Sequence, residues 1–390
     1  MLDQHNPREQ SGRDSFERYR AQVRSAAIAS LSILEGKDID RVYCDLHDDF
    51  VIRKKDSNNF TYIFYQVKTK AKQNHTWTVS ELFGLRKRKK SKLKTEIEDI
   101  RNSFVGKMLL HTIVFDQQCN YITFQTNINT HDDVVQLLKD IENGNISNGF
   151  LQMLVSKFND CYSDKLKSQL SETQILKNLS KLQFETDVQY LKQNHNFESI
   201  ARDKVYEFSE IDLNRDELKQ ILLKLIDLVE TKSSGVISTL TPNSIEKFAG
   251  ISIENLLSIL SISREAYNTL IAGGDKSAIK SASIIQRTIT NSGGGETEIE
   301  YCSKCKIKWD LWLRKNRHII PEFNLNSITQ DIINILPQQS TIETKIILSK
   351  LQKPIEKLLV DLDKRQLKFD IDVDLILGGV LAEIVRRLSS

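Results

Sequence analysis

Polar residues interrupt a strongly apolar stretch early in the chain, where residues 62–70 read YIFYQVKTK. The aromatic and β-branched residues of this stretch are typical of a buried strand. An amide at Gln66 and ammonium groups at Lys68 and Lys70 cost desolvation free energy on such a strand unless something there uses them. The stretch is therefore either a strand whose polar end reaches solvent or a strand that carries reactive groups.

A pair of acids, Asp48 and Asp49, directly precedes the apolar residues FVI, which predict a second strand. If the two strands form a hairpin, Gln66 and Lys68 return beside Asp49 and share one face, because side chains of a strand alternate with a period of two. A carboxylate, an amide oxygen and an ammonium group would then converge. Asp45 and Asp48 are alternatives to Asp49 as the acid of this site.

These are the groups that hydrolysis of a phosphodiester requires. Hard oxygen ligands suit Mg²⁺ or Mn²⁺ and argue against zinc, so one or two of the carboxylates and the Gln66 carbonyl could hold such an ion. The ion can polarise the scissile phosphate and generate a hydroxide. The Lys68 ammonium group can orient or deprotonate the attacking water, and it can offset the negative charge that develops in the transition state.

The first predicted helix adds one further acid. Glu17 lies opposite or at the edge of the apolar stripe that begins with Phe16, Tyr19 and Val23. From there it could reach the metal ion directly or through water. The alternative is an ion pair on the helix surface with the arginine at position 13, 20 or 24.

The hydrophobic periodicity around these residues predicts an α/β core. Apolar residues recur at three-to-four spacing over residues 11–36 and alternate with a period of two over residues 39–46. The predicted order is a helix at 11–36, strands at 39–46, 49–54 and 60–68, a helix from 79 to about 103, and strands at 109–115 and 121–127. Residues 130–230 read as mostly helical, with one strand-like stretch at 182–191.

A dense basic segment follows the predicted site, because residues 85–94 read LRKRKKSKLK. Each phosphate of a nucleic acid that such a segment neutralises releases counterions, so binding would weaken as salt rises. The alternative is a solvated helix face or loop. The predicted DNA-binding residues are Lys70, Lys72, Arg86, Lys87, Arg88, Lys89 and Lys90.

The overall composition limits the class of protein. The 390 residues carry a formal charge of +3, so affinity for nucleic acid must come from local clusters. Five scattered cysteines favour a reducing compartment, and the polar N-terminus lacks the apolar core of a signal peptide. No apolar run approaches the length of roughly 18 residues that a membrane span needs. We therefore expect a cytoplasmic protein without a membrane segment.

Four segments give the chain a family resemblance, namely SGRDSFERYRAQ at 11–22, GKDIDRVYCDLHDDFV at 36–51, FYQVKTK at 64–70 and SELFG at 80–84. They resemble the double-stranded DNA endonucleases of bacterial anti-phage defence, a branch of the restriction-endonuclease-like PD-(D/E)xK superfamily. Its members include the nuclease modules of CBASS effectors, of Lamassu systems and of nucleases paired with HerA-type ATPases. The resemblance implies a restriction-endonuclease-like αβββαβ core.

The resemblance makes Asp49 the metal-binding acid and Lys68 the catalytic lysine, while Gln66 stands where most members have glutamate. The predicted catalytic residues are Asp49, Gln66, Lys68 and Glu17, and the predicted ligands of Mg²⁺ or Mn²⁺ are Asp49, Gln66 and Asp48. A neutral amide oxygen is a weaker metal ligand than a carboxylate. The alternative is therefore a catalytically silent DNA-binding adaptor, in which Gln66 marks a decayed site.

A change of composition at residues 232–244 predicts a domain boundary. We predict a disordered N-terminus at 1–10, the endonuclease domain at 11–232, and a mostly helical regulatory or oligomerisation domain at 233–390. This C-terminal part does not resemble the cyclic-nucleotide sensor of CBASS effectors, which favours the nuclease subunit of a Lamassu system. An SMC-like ATPase and an accessory subunit would then hold the nuclease inactive and trigger it on double-stranded DNA. A HerA-type ATPase is the alternative partner, and we expect a homo-oligomer in the active state.

Overall fold

The computed structural model describes residues 10–36, 38–56, 59–72, 74–86, 93–192, 194–211, 213–336 and 348–388. These residues form a mixed α/β protein with a helical C-terminal region, which confirms the predicted class. Two compact units result. The first comprises Met1–Ile33, Lys37–Ala201 and Leu222–Ser252, and the second comprises Leu34–Gly36, Arg202–Ile221 and Ile253–Ser390. Residues 1–9 of the segment predicted to be disordered lie outside the described residues. The functional roles predicted for residues 11–232 and 233–390 stay predictions.

The first unit is built on a six-stranded mixed sheet. Its strands are β1 Ile39–Leu46, β2 Asp48–Asp56, β3 Asn59–Lys68, β4 Cys119–Thr126, β5 Leu182–Glu185 and β6 Gly250–Ile251. They lie in the order β5-β4-β3-β2-β1-β6. The β1–β2, β2–β3 and β1–β6 pairs are antiparallel, whereas β3–β4 and β4–β5 are parallel. The predicted hairpin between the second and third strands is therefore present.

Most of the other described residues are helical. The first eleven are α1 Gln10–Leu31, α2 Val79–Phe83, α3 Leu93–Asn102, α4 Phe104–Val114, α5 Asp132–Glu142, α6 Gly149–Cys161, α7 Glu172–Leu179, α8 Gln189–Lys192, α9 Asn194–Ser209, α10 Arg215–Ser233 and α11 Pro242–Phe248. Short 3₁₀ helices occupy Ser32–Glu35 and Asp116–Gln118. The single helix predicted from 79 to about 103 is two helices, and residues 87–92 between them lie outside the described residues.

The strand predicted at residues 109–115 was wrong, because these residues belong almost entirely to helix α4. Ser103 caps this helix by accepting a hydrogen bond from the Gly106 amide. Val105, Met108 and Leu109 recur at helical spacing and are buried. A short, mostly apolar run is typical of either a strand or a buried helix. The sequence pattern alone therefore led to the wrong assignment.

One hydrophobic core joins α4 to the face of the sheet that includes Phe64, two residues before Gln66. Phe64 is 1% exposed and its ring stacks on the imidazole of His111 in α4, with ring centroids 4.3 Å apart. Phe124 of β4 is fully buried in the same core. The polar end of β3 is thus a continuation of a rigidly packed strand.

The second unit is helical. Its remaining helices are α12 Ile253–Ile259, α13 Arg264–Ala272, α14 Ala278–Asn291, α15 Glu296–Asn316, α16 Glu322–Ile333, α17 Leu348–Lys364 and α18 Val373–Leu388. Helices α15 and α18 pack closely, since a β carbon at Gly378 would lie 2.0 Å from the carbonyl oxygen of Cys305. Lys306 of α15 is buried and forms ion pairs with Asp275 at 2.8 Å and Asp310 at 2.9 Å. Of the helices described, none is both long and apolar enough to cross a membrane.

Two glycines of the first unit give a matched test of this packing. A β carbon at Gly106 would lie 1.9 Å from the carbonyl oxygen of Ile100, whereas one at Gly149 would meet nothing within 4 Å. We expect Gly106→Ala to lower the free energy of unfolding by about 1–3 kcal/mol, because α4 must shift. Gly149→Ala, the control, should leave it unchanged or raise it by up to about 1 kcal/mol. Urea unfolding followed by circular dichroism measures both, and equal stability of the two variants would contradict the packing described for α4.

Candidate active site

A tight turn at His47 places the acids at the very start of β2. Leu46 of β1 pairs with Asp48 of β2, so the chain reverses within one residue. His47 has a φ of 66° and Asp45 a φ of 47°, in the left-handed region that Asp and His enter more readily than most residues. Strand β2 therefore begins with acids.

Asp49, Gln66 and Lys68 converge. The Asp49 Oδ2 atom accepts hydrogen bonds from the Gln66 Nε2 atom at 2.7 Å, the backbone N–H of Val67 at 2.6 Å and the Lys68 Nζ atom at 3.1 Å. Because β2 and β3 pair antiparallel, the start of one strand meets the end of the other. The structure thus brings together the three residues that the hairpin was predicted to join. Their catalytic roles stay a prediction.

The sequence pattern did not indicate Gln22 as a residue of this site. This residue of α1 donates a hydrogen bond from Nε2 to the second oxygen of Asp49, Oδ1, at 2.8 Å. A signal was available, since Ser25 lies one turn further along α1, is completely buried, and hydrogen-bonds Gln125 of β4. Polar side chains on the buried side of a helix need partners, and here those partners lie on the sheet.

Asp45 is the second acid beside this cluster. It lies on β1 between Cys44, which pairs with Phe50 of β2, and Leu46, which pairs with Asp48. Like charges repel each other. Burial and then the negative charge of Asp49 raise the pKa of Asp45, while the positive charge of Lys68 lowers it. Asp45 and Asp49 therefore form a pair of carboxylates that a single lysine only partly compensates.

Asp48 has a different environment from Asp49. Its side chain is 8% exposed, and its Oδ2 atom lies 3.2 Å from the Nε2 atom of His111 on α4. Burial raises the pKa of Asp48, and the hydrogen bond with His111 opposes that shift. The side chain thus joins β2 to α4. Its assignment as a metal ligand stays a prediction.

Glu17 lies on the exposed surface of α1. Its carboxylate is 63% exposed and forms an ion pair with Arg20 at 2.8 Å. This is the surface ion pair that the sequence left open as an alternative. Glu17 also lines an open cleft together with Lys72. Its predicted catalytic role stays a prediction.

The side chain and the backbone of Lys70 both contact other residues of the protein. Its ammonium group lies 2.6 Å from Glu81 and 3.9 Å from the centre of the Trp77 ring, and the Asn127 amide hydrogen-bonds both the N–H and the C=O of Lys70 at 3.0 Å. Although burial opposes it, hydrogen bonds from Lys70 and Thr78 lower the pKa of Glu81 to about 2. These contacts fix the chain just after β3.

The remaining predicted DNA-binding residues fall in two groups. Lys72 is exposed, and Arg86 lies 3.7 Å from Asp99. Those outside the described residues are Lys87, Arg88, Lys89 and Lys90. DNA binding by both groups stays a prediction.

The donor set suits a hard divalent cation. Within the described ranges, no three His, Cys, Asp or Glu side chains are grouped so as to hold a metal ion. The chain offers the carboxylate of Asp49 beside the amide of Gln66, and the carboxylate of Asp45, which interacts electrostatically with Asp49. Mg²⁺ commonly keeps several waters and takes only one or two carboxylates from the protein. The uncompensated negative charge and the oxygen ligands therefore fit Mg²⁺ or Mn²⁺.

This is an α/β protein with an acid–amide–lysine cluster where two antiparallel strands meet. The model of one family, described as Cap4, dsDNA endonuclease domain, matches residues 10–233, which is more than half of the chain. The chain belongs to this family of double-stranded DNA endonuclease domains. The match includes Gln22, Asp49, Gln66 and Lys68. It confirms the predicted nuclease family, whereas the Lamassu assignment within it stays a prediction.

Solved structures add a distant likeness. A Cap4 SAVED/CARF-domain containing receptor of Acinetobacter baumannii, solved with the cyclic trinucleotide 3'3'3'-cAAA, is 12% identical, with a TM-score of 0.36 over 61% of this chain and 43% of the receptor. The receptor of Moraxella osloensis is 11% identical, with a TM-score of 0.34 over 74% of this chain and 66% of the receptor. The chain thus spans less than two thirds of either receptor. No curated protein matches it.

Substitutions at Asp49 and Lys68 should shift the pKa of Asp45 in opposite directions. Asp49→Asn removes the negative charge that helps to raise the pKa of Asp45, so that pKa should fall. Lys68→Met removes the positive charge that lowers it, so the pKa should rise. Carbon-13 NMR titration of the aspartate carboxyl groups measures both shifts. The exposed Lys55→Met, at the far end of β2, is the control that should leave Asp45 unchanged. Shifts of the same sign in both variants would contradict the arrangement.

Proposed function

We propose that this chain is a metal-dependent endonuclease that cuts double-stranded DNA as the effector of a bacterial anti-phage system, on a restriction-endonuclease-like core. The convergence of Asp49, Gln66 and Lys68 within the region that matches the nuclease family supports the proposal most strongly. The element order also supports such a core, because α1 precedes the strands β1, β2 and β3, and the helices α2, α3 and α4 separate β3 from β4.

Each side chain of the cluster has a separate role in the proposed reaction. Asp49 and Asp45 would hold Mg²⁺ or Mn²⁺, with the Gln66 carbonyl oxygen as a further ligand. When bound, the ion supplies Lewis-acid polarisation of the phosphate and a more acidic water. Lys68 lies beside Asp49 at 3.1 Å, so its Nζ atom can donate hydrogen bonds to the attacking water or to a phosphate oxygen as negative charge develops there. Gln22 holds the Asp49 carboxylate in place from α1.

We propose that a complex with other proteins controls the nuclease activity of this chain. A nuclease without sequence preference would cut its host's DNA, so it needs an inactive state. We propose that an SMC-like ATPase and an accessory subunit hold the chain inactive and trigger it, as in Lamassu systems, and that a homo-oligomer brings two sites to opposite strands. The helical part of the second unit from Ile253 onward supports this, because the nuclease match at 10–233 does not include it.

Cleavage of supercoiled plasmid tests the enzyme. With Mg²⁺ or Mn²⁺, Lys68→Ala should cut at least about 100-fold more slowly than the unaltered chain, because it loses a donor to the developing charge. Lys55→Ala removes an equal charge at the far end of β2 and should cut normally. Gel electrophoresis measures the rates. Equal rates for Lys68→Ala and the unaltered chain would show that the site lies elsewhere.

Removal of the metal is a separate test. An excess of EDTA should abolish cleavage, and added Mg²⁺ or Mn²⁺ should restore it, since no protein group replaces the ion's polarising charge. If the unaltered chain cuts under no condition, even with its ATPase partner or as an enforced oligomer, the catalytically silent DNA-binding adaptor is the better description.

A further inference from the structure

An open cleft of about 630 Å³ adjoins the candidate active site in the first unit. One wall is α1, the helix whose Gln22 reaches Asp49. The other wall includes residues 69–72, the segment that directly follows Lys68 in the chain. A ligand in this cleft would therefore lie against both elements that build the acid–amide–lysine cluster.

The cleft carries an excess of positive charge. Five lysine and arginine side chains line it, against a single acid, Glu17. Two of the five are paired, since Lys70 contacts Glu81 and Lys192 contacts Asp187. Glu17 is paired with Arg20 and so does not neutralise the rest. The charge that remains is carried by three side chains, Arg18, Arg24 and Lys72.

These three cations have no protein partner. Over the described part of the chain, the side chains of Arg18, Arg24 and Lys72 form neither a hydrogen bond nor an ion pair. Arg18 and Lys72 are exposed and remain solvated, but Arg24 is half-buried. Burial lowers the pKa of Arg24, the attraction of Glu17 opposes that shift, and a smaller repulsion from Arg20 adds to it. A half-buried, unpaired guanidinium group costs free energy that an anionic ligand would recover.

The shape of the cleft indicates the kind of anion. Its cations come from both walls rather than from one pocket, and its volume exceeds that of a single phosphate ion. Small residues, Ala21 and Ala71, line it between the charged ones and let a ligand approach the backbone. A polymer with a phosphate at every repeat meets such an arrangement, and contacts of this kind set its register without reading its sequence.

We propose that Arg18, Arg24 and Lys72 bind consecutive phosphates of the DNA backbone and so deliver the scissile phosphate to Lys68. This assignment rests on the proposed endonuclease function. It places the principal DNA contact on α1 and on the segment after β3, and it gives α1 a second task beside the support of Asp49. Arginine suits it because its planar guanidinium group forms paired hydrogen bonds to phosphate.

The salt dependence of DNA binding tests the proposal without requiring cleavage. The full chain carrying Lys68→Ala, with EDTA present, is titrated onto a fluorescent 30-base-pair duplex over a series of salt concentrations. The slope of log K against log salt should lose about 0.9 for each phosphate contact removed. The double variant Arg18→Gln with Arg24→Gln should therefore reduce the slope by about twice that amount. The double variant Arg18→Gln with Arg24→Lys keeps a positive charge at position 24 and should recover part of the loss.

The matched control removes two positive charges elsewhere. Lys55→Gln together with Lys177→Gln changes exposed lysines, one at the far end of β2 and one in α7. This pair should leave the slope unchanged, which separates contact in the cleft from net charge. Circular dichroism and melting temperatures equal to those of the parent chain show that both double variants are folded.

The outcomes are distinct. If the slope is unaffected by the two arginine substitutions, or falls as much in the control, the cleft assignment is overturned while the endonuclease proposal stands. If the Lys68→Ala chain binds no duplex at any salt concentration, the cleft assignment is overturned as well. Plasmid cleavage by the unaltered chain with Mg²⁺ then distinguishes a nuclease that grips DNA by other means from a protein that does not act on DNA.

Discussion

The carboxylate of Asp49 connects the elements that define the site. It is only 12% exposed, and a charge so far removed from water is stable only when hydrogen bonds replace its hydration. Four donors do so, one from α1 and three from the end of β3. The helix, the hairpin and the tight turn at His47 must all be correctly placed for these four bonds to form. The geometry of the site therefore depends on the correct packing of the first unit.

The amide at position 66 has a physical rationale in this arrangement. The negative charge of Asp49 already acts on Asp45, and the positive charge of Lys68 opposes it. A glutamate at 66 would add a third negative charge to the same lysine, whereas Gln66 donates a hydrogen bond to Asp49. The amide thus stabilises the charged acid.

The family match and the compact units divide the chain at different places. The family match ends at residue 233, close to the composition change that predicted a boundary, whereas the first compact unit extends to Ser252 because β6 pairs with β1. The second unit has a tightly packed helical core, including a buried lysine between two acids.

The sequence by itself determined the local elements and the pairing that follows from them. Alternation gave β1 and β3 nearly to the residue, and one hairpin was enough to join Asp49, Gln66 and Lys68, because neighbouring strands need no distant contact to meet. Only the tertiary structure decided the rest. It made residues 104–114 a helix, turned Asp48 towards α4, and brought Gln22 to Asp49 across 27 positions of sequence. These outcomes depend on which faces of distant elements pack together, and no local period of the sequence encodes that choice.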